Sequence, residues 1–261
     1  MGKIISISNQ KGGVGKTTTA VNLSASLAVG EKRVLLVDLD PQGNATSGVG
    51  VEPRDGTSYE FLLGNSALTA CIQNTQIPYM DVLTADRRLA GAEIELVGQA
   101  QRERFLERAF GDHRNRYDYI LIDTPPSLGL LTLNALTASD SVLIPIQCEY
   151  YALEGLSQLQ STVQLVQRGL NPNLALEGVL LTMFDGRLRL SNQVAEEAIE
   201  FFGSVVYQTR IPRNVRLSEA PSFGQPILLY DVDCVGAQSY LALALELVAA
   251  NSSAAAARQE G

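Results

Sequence analysis

The apolar run Ile4-Ile5-Ser6-Ile7-Ser8 leads into Lys11-Gly12-Gly13-Val14-Gly15-Lys16-Thr17-Thr18, and a helical pattern follows from Ala20 to Ala28. Strand, glycine-rich loop and helix in that order are the context that a phosphate-binding loop needs. The glycines let the backbone turn its N–H groups towards an anion, and the start of the helix adds positive dipole. Residues Lys11 to Thr18 are therefore the predicted nucleotide site. Lys16 is placed to reach β- and γ-phosphates, and the Thr17 hydroxyl to hold Mg²⁺. The usual pattern has a glycine five places before Gly15, where this chain has Gln10, and a second lysine, Lys11, stands next to it. Lysine is scarce: Lys3, Lys11, Lys16 and Lys32 are the only ones among 20 basic residues, so half of them lie in one loop. Lys11 reads either as a solvated side chain on a loop or as a cation aimed at a partner's site.

A chain of 261 residues with 46% hydrophobic content can bury a large core as one α/β domain. Apolar runs alternate with helical patterns throughout, which predicts a doubly wound, mostly parallel sheet with helices on both faces. Strands are expected at 3–8, 33–38, 80–84, 117–123, 141–146 and 177–182, with a short one near 205–208. Helices are expected at 16–29, 86–97, 99–111, 129–138, 153–169, 191–203 and 234–250. A single domain over 1–250 and a disordered tail over 251–261 complete the expected organisation, with 49–80 the least legible stretch. No apolar run approaches the roughly 20 residues of a membrane span. Met1-Gly2-Lys3 formally matches a lipidation pattern, but Gly2 leads straight into the first strand.

Composition removes several chemistries. Cys71, Cys148 and Cys234 are far apart and lack metal-ligand spacing, which points to a reduced, cytoplasmic setting. His113 is the sole histidine, so Ser-His-Asp, Cys-His and zinc chemistry have almost nothing to run on. A net charge of −8 argues mildly against a nucleic-acid partner, although an average conceals local patches.

In such a sheet ligands bind at the carboxyl ends of the strands. The second strand runs into Asp38-Leu39-Asp40-Pro41-Gln42-Gly43, and alternation places Asp38 and Asp40 on one side. Asp40 has two readings: the capping carboxylate of an Asp-Pro-x-Gly turn, or a group that orients water for attack on a γ-phosphate. The strand Tyr117 to Asp123 ends in a carboxylate suited to a water-linked Mg²⁺ site. Pro125-Pro126-Ser127-Leu128-Gly129 then makes a stiff turn that could sense the γ-phosphate. No lysine follows Lys32, so the Asn-Lys-x-Asp reader of guanine cannot occur, and adenine is the expected base.

The stretches Lys11 to Thr18, Val37-Asp38-Leu39-Asp40-Pro41-Gln42-Gly43-Asn44, Ile122-Asp123-Thr124-Pro125-Pro126-Ser127 and Ile211-Pro212-Arg213-Asn214-Val215-Arg216-Leu217-Ser218 together resemble the ParA/Soj chromosome-partitioning ATPases. The resemblance runs from residue 1 to about 250 and includes Gln147 to Leu156. It implies the deviant Walker A version of the P-loop NTPase fold, with ATP and Mg²⁺ as cofactors. Lys16 and Thr17 then match the phosphate lysine and the Mg²⁺ threonine, Asp123 the Walker B carboxylate, and Asp40 the carboxylate needed for hydrolysis. Lys11 matches a signature lysine that crosses a homodimer interface to the partner's phosphates, and Gly12 the glycine that lets the two subunits approach. Pro212 and Asn214 fall where the family contacts adenine, and Arg187 and Arg216 where it contacts double-stranded DNA without sequence preference. A ParB-type protein is the implied partner that stimulates hydrolysis, and a cytoplasmic, nucleoid-associated location follows.

Charge supports the DNA reading locally. From Ser204 to Ser218 the chain carries Arg210, Arg213 and Arg216 and no acidic residue, with Arg187 and Arg189 a short way upstream. The competing reading is an ordinary solvated face whose arginines pair with nearby carboxylates. A membrane-binding relative would need a basic amphipathic helix at the C-terminus, whereas Leu241 to Ala250 holds Glu246 and no basic residue. A plasmid-type autorepressor would need a further DNA-reading domain before the loop. The alternative that stays open is an orphan ParA-like ATPase that positions a protein cargo.

Overall fold

The computed structural model describes residues 2–149 and 152–259, and the side chains within them except those of 152–160 and 254–259. The segment 147–156 quoted above therefore lies largely outside the described side chains. Seven strands form one sheet: β1 (Lys3–Ile7), β2 (Val34–Asp38), β3 (Ile72–Asn74), β4 (Met80–Leu83), β5 (Tyr119–Asp123), β6 (Ser141–Gln147) and β7 (Ala175–Thr182). Their order is β3-β4-β2-β5-β1-β6-β7, with every pairing parallel except β3 against β4. β1 lies between β5 and β6, so its carboxyl end opens at a switch point of the sheet, where α/β folds place their ligands.

The helices are α1 (Lys16–Val29), α2 (Asn44–Gly48), α3 (Ser58–Leu62), α4 (Leu68–Cys71), α5 (Leu89–Leu96), α6 (Phe105–Phe110), α7 (Leu130–Ala138), α8 (Ala152–Gly169), α9 (Arg189–Phe202), α10 (Val215–Glu219), α11 (Ile227–Tyr230) and α12 (Val235–Gln259). Central strands buried on both faces read as continuous apolar runs, and Val34-Leu35-Leu36-Val37 and Ile120-Leu121-Ile122 do so here. Alternate residues feed opposite layers. Ile5, Ile7, Val34, Leu36 and Leu121 pack with α1 and α12, while Leu35, Val37, Ile120 and Ile122 pack with α3, α5, α6 and α7. A third apolar cluster joins β6 and β7 to α8 and α9.

α1 is sandwiched between the sheet and α12, so even its polar residues are internal and must be satisfied there. Asn22 donates to the Thr18 carbonyl at 2.8 Å and accepts from the Ile227 amide at 2.7 Å, and Thr19 shares a hydrogen bond with the Tyr240 hydroxyl. These contacts hold the helix that carries the phosphate loop. Gly2 is also fixed: a Cβ there would lie 2.3 Å from the Tyr117 carbonyl, and its own carbonyl accepts from Arg114. The residue belongs to the core.

Besides the short helices α2, α10 and α11, which periodicity does not predict, the expected elements differ from the observed ones in four places. The stretch 49–80 contains two short helices and the antiparallel edge strand β3, none of which the sequence pattern predicts. The expected helix 99–111 breaks at Gln101, whose φ is 54°, into a 3-10 turn over Arg102–Arg104 and then α6. The strand expected near 205–208 shrinks to a single bridge between Val206 and Val179. Its next amides, Gln208 and Thr209, donate to the Glu246 carboxylate on α12 instead of to a strand neighbour. Finally α12 continues through Gln259, across the segment expected to be disordered. Alanine-rich sequence favours helix there, and Asn251 is anchored by donating to Glu177 at 3.0 Å.

Candidate nucleotide site

β1 delivers the chain into the loop, and Asn9 shapes its first turn. The buried Asn9 side chain donates to the Pro145 carbonyl at 2.7 Å and accepts from the Lys11 amide at 3.0 Å. Gly13 and Gly15 sit at φ 75° and 88°, a region that side chains with a Cβ rarely enter. Gly15 precedes α1 with no side chain capping the helix, so the first amides of α1 face the loop's interior. From the other side Thr182, at the end of β7, donates to the carbonyl of buried Val14 at 2.9 Å. Asn9 and Thr182 shape the loop without belonging to its motif, and neither was identified from sequence. The only local signal was Asn9 directly after an apolar strand.

Lys16 is buried at the start of α1, and its ammonium donates to the Lys11 carbonyl at 3.1 Å. Burial lowers its pKa, against the opposing attraction of Asp123 and Asp40, so the three groups share one electrostatic environment. Thr17 follows, half-buried. Asp123 ends β5 fully buried, with no hydrogen bond to either carboxylate oxygen among the described residues. Its pKa is pushed well up by burial and then by neighbouring Asp38, with the Thr17 hydroxyl and Lys16 working the other way. A buried carboxylate of this kind is costly unless a cation meets it. A divalent cation between Asp123 and the Thr17 hydroxyl fits that deficit, since both supply the hard oxygen ligands that Mg²⁺ prefers.

Asp38 and Asp123 are register partners on adjacent strands. Asp38 accepts from the Thr46 amide and hydroxyl at 2.8 and 2.7 Å, and from the Asp40 amide at 3.1 Å. Burial nevertheless lifts its pKa to about 6. Asp38 thus ties α2 and the Asp40 turn to the sheet, a role the sequence had left unassigned. Asp40 does form the turn: its carboxylate accepts from the Gln42 amide at 3.0 Å, and its carbonyl from Gly43 at 2.9 Å. It is also almost fully buried and close enough to act on Lys16, so the turn and the site coincide.

Beside the loop lies a cavity of about 570 Å³ lined by Gly15, Thr18, Met183, Pro212, Asn214 and Tyr240, among others. Residues 211–213 run alongside the end of β7: Ile211 donates to the Leu181 carbonyl and Phe184 to Ile211, with a bridge between Phe184 and Pro212. Pro212 and Asn214 are thereby brought to the loop from some 200 positions away in the chain. Asn214 uses its carbonyl oxygen to cap α10, accepting from the Arg216 and Leu217 amides.

Lys11 and the arginines lie further out. The Lys11 ammonium is 3.5 Å from the Glu149 carboxylate. Arg187 pairs with Asp185 at 2.7 Å, and Arg216 with Glu219 at 3.0 Å and Asp231 at 3.4 Å. Arg210 lies over the Phe184 ring. Arg189 and Arg213 are exposed and form no ion pair among the described residues. The acid-free window in the sequence is therefore not acid-free in space.

The fold agrees with that of known proteins. A family model described as an AAA domain matches residues 2–176. The sporulation initiation inhibitor protein Soj of Bacillus subtilis is 62% identical over 251 residues, covering 95% of this chain and 99% of the relative. The chromosome partitioning protein ParA of Myxococcus xanthus is 58% identical over 250 residues, covering 95% and 88%. Among solved structures, one from Mycobacterium smegmatis described as cobyrinic acid a,c-diamide synthase with bound ATP analog and magnesium superposes with a TM-score of 0.83 at 38% identity, covering 94% and 93%. With relatives this similar along nearly their whole lengths and a phosphate loop at the switch point of the same fold, the chain belongs to the ParA/Soj family of chromosome-partitioning ATPases.

Proposed function

We propose that this chain binds ATP and Mg²⁺, pairs with a second copy while ATP is bound, holds double-stranded DNA without sequence preference, and lets go on hydrolysis. The observation that carries the reading is Asp123, a buried carboxylate without a hydrogen-bond partner among the described residues, set beside Thr17 and Lys16 under a phosphate loop. A Mg²⁺·ATP ligand supplies the charge that this cluster is built around. Thr17 and Asp123 hold the cation, Lys16 takes the β- and γ-phosphates, and the amides of Gly12 to Thr18 cradle the anion. Pro212 and Asn214 line the cavity that receives the base. Asp40 orients the attacking water and accepts its proton as the new P–O bond forms, while the bond from the γ-phosphorus to the β–γ bridging oxygen breaks and ADP leaves with that electron pair.

Gly12 supports the dimer. Its φ is not positive, and a Cβ added to it would meet no atom within 4 Å, so nothing within the chain requires glycine there. Close approach by a second copy does. Lys11 sits next to that opening and brings a cation to a desolvated phosphate, worth less than an arginine finger because ammonium lacks the planar fork. Closure sets both subunits' Arg187, Arg189, Arg213 and Arg216 on one surface, and ATP controls DNA binding through this population shift. If about six phosphates are neutralised, log K falls with log salt at a slope near −5. Family membership supports a ParB-type protein as the stimulator of hydrolysis.

Sedimentation with DNA, with and without ATP, tests the scheme on wild type, Asp40→Ala and Lys11→Ala. ATP-dependent DNA binding that persists in Asp40→Ala and vanishes in Lys11→Ala supports it. Equal, nucleotide-independent binding by all three overturns it.

A further inference from the structure

α7 begins where the loop after Asp123 ends, and its N-terminus is capped from a distance. The residue in the capping position is Gly129, which has no side chain to offer the free amides. Glu93, on α5, provides the missing acceptor: its Oε1 takes the Leu131 amide at 3.4 Å. That is the second residue of the helix, one of the amides an ordinary capping side chain would satisfy. The fit extends to Gly129 itself. A Cβ there would fall 2.0 Å from Glu93 Oε1 and 3.0 Å from Cδ, so the carboxylate occupies the space that any other residue would need. Leu89, Ala92 and Leu96 bury the rest of α5 in the core, which fixes the helix that presents Glu93.

The segment held in this way is Thr124 to Gly129. At its start the Thr124 hydroxyl donates to the Ile7 carbonyl at 2.9 Å and shares a bond with Ser8, tying it to the root of the phosphate loop. At its end Thr132 donates to the Ser127 carbonyl at 2.5 Å. Between these anchors Pro126 and Ser127 are exposed. With the Asp123 end fixed by the sheet, the far end is set by where α7 starts, which Glu93 helps to fix together with the Thr132–Ser127 bond and the burial of Leu131.

We propose that Glu93 is a positioning residue for hydrolysis, holding the Thr124–Gly129 segment in register with Asp123 from outside the nucleotide site. The proposal rests on the ATP reading above. It predicts a role in turnover and none in ATP affinity, because Glu93 acts on the segment beyond Asp123 and leaves the phosphate loop alone.

Hydrogen exchange of the Leu131 amide in nucleotide-free protein, together with ATP affinity and turnover, tests it in four variants. In Glu93→Ala the amide exchanges about tenfold faster, the size of a lost helix cap, and kcat falls about tenfold with ATP affinity unchanged within twofold. Glu93→Gln keeps an acceptor oxygen and stays within about threefold of wild type. Gly129→Ala reproduces Glu93→Ala, since its methyl displaces the end of a flexible side chain and leaves the backbone intact. The double variant is no worse than either single one, as expected for two residues that act through one contact. Unchanged exchange or kcat in Glu93→Ala, a parallel loss of ATP affinity, or effects that multiply in the double variant would overturn the proposal. Failure of the ATP reading looks different: wild type itself would bind no nucleotide.

Discussion

The phosphate loop and the arginine face, both at the carboxyl end of the sheet, are built on different principles. The loop is made almost entirely of consecutive residues, and the groups that act on it, Asp40 and Asp123, each end or follow a strand of the same sheet. Its electrostatics face inward, onto a carboxylate with no geometric hydrogen-bond partner among the described residues. The arginine face has the opposite character. Arg187 and Arg216 already have carboxylate partners, from Asp185 two residues away, from Glu219 on the same helix α10, and from Asp231 just after α11. A ligand entering the loop satisfies a standing deficit, whereas on the proposed reading DNA would have to compete at the arginines with pairs already made. Exposed pairs of this kind are each worth under about 1 kcal/mol, so the competition is mild and depends on salt.

The sharpest way to break the comparison is Lys16→Ala. Removing the one buried cation of the loop is expected to weaken ATP binding by at least about 100-fold, read by titration with a fluorescent analogue. A smaller loss would mean that the backbone amides do most of the binding. Next comes Asp123→Asn, which should act in two directions at once. Nucleotide-free protein should gain about 1–3 kcal/mol of stability because the buried charge is gone, while the stabilisation added by Mg²⁺ and ATP disappears. Thermal melts with and without Mg²⁺·ATP report both, and destabilisation of the free protein would show that the Asp123 charge is satisfied internally after all.

Lys11→Ala sharpens the contrast, because its Glu149 pair is half-exposed. The melting temperature of the monomer should move by less than about 2 °C, while ATP-dependent dimers disappear from equilibrium sedimentation. The smallest effect belongs to the arginine face. Asp185→Asn releases Arg187 and should raise DNA affinity about threefold, whereas Arg187→Ala should flatten the salt dependence by a slope of about 1. No change in either variant would remove Arg187 from the DNA surface.

The same contrast explains what the sequence made legible. The loop, the carboxylate-ended strands and the parallel sheet were visible because each depends on periodicity or on neighbours along the chain. The stretch 49–80 stayed obscure because its helices span only one turn or so and its strand β3 has three residues, below the length at which periodicity speaks. One signal was available: Thr57 and Glu60 form a capping box at the start of α3, with the Thr57 amide donating to Glu60 at 2.8 Å. The expected strand at 205–208 failed for a tertiary reason. Tyr207 lies against Gly178, where a Cβ would fall 2.2 Å from its ring, and Glu246 claims the next two amides. Glu93 and Gly129 are 36 positions apart, and nothing local marks them as a pair.

One contact at the opposite end of the sheet bears on how the molecule resists force. Lys3 on β1 pairs with Glu177 at 2.5 Å and also bonds Asn251 on α12, which in turn bonds Glu177. The first strand and the last helix are therefore clasped together, although the two residues are 248 positions apart. Tension applied between the ends would load this clasp first and peel α12 away from α1. Because Lys3 is the first residue of β1, the pull acts on that strand as well, but β1 is gripped on both sides by β5 and β6. The phosphate loop hangs from the far end of that strand, so a pull transmitted through the N-terminus would have to part a strand paired on both sides before it could distort the loop.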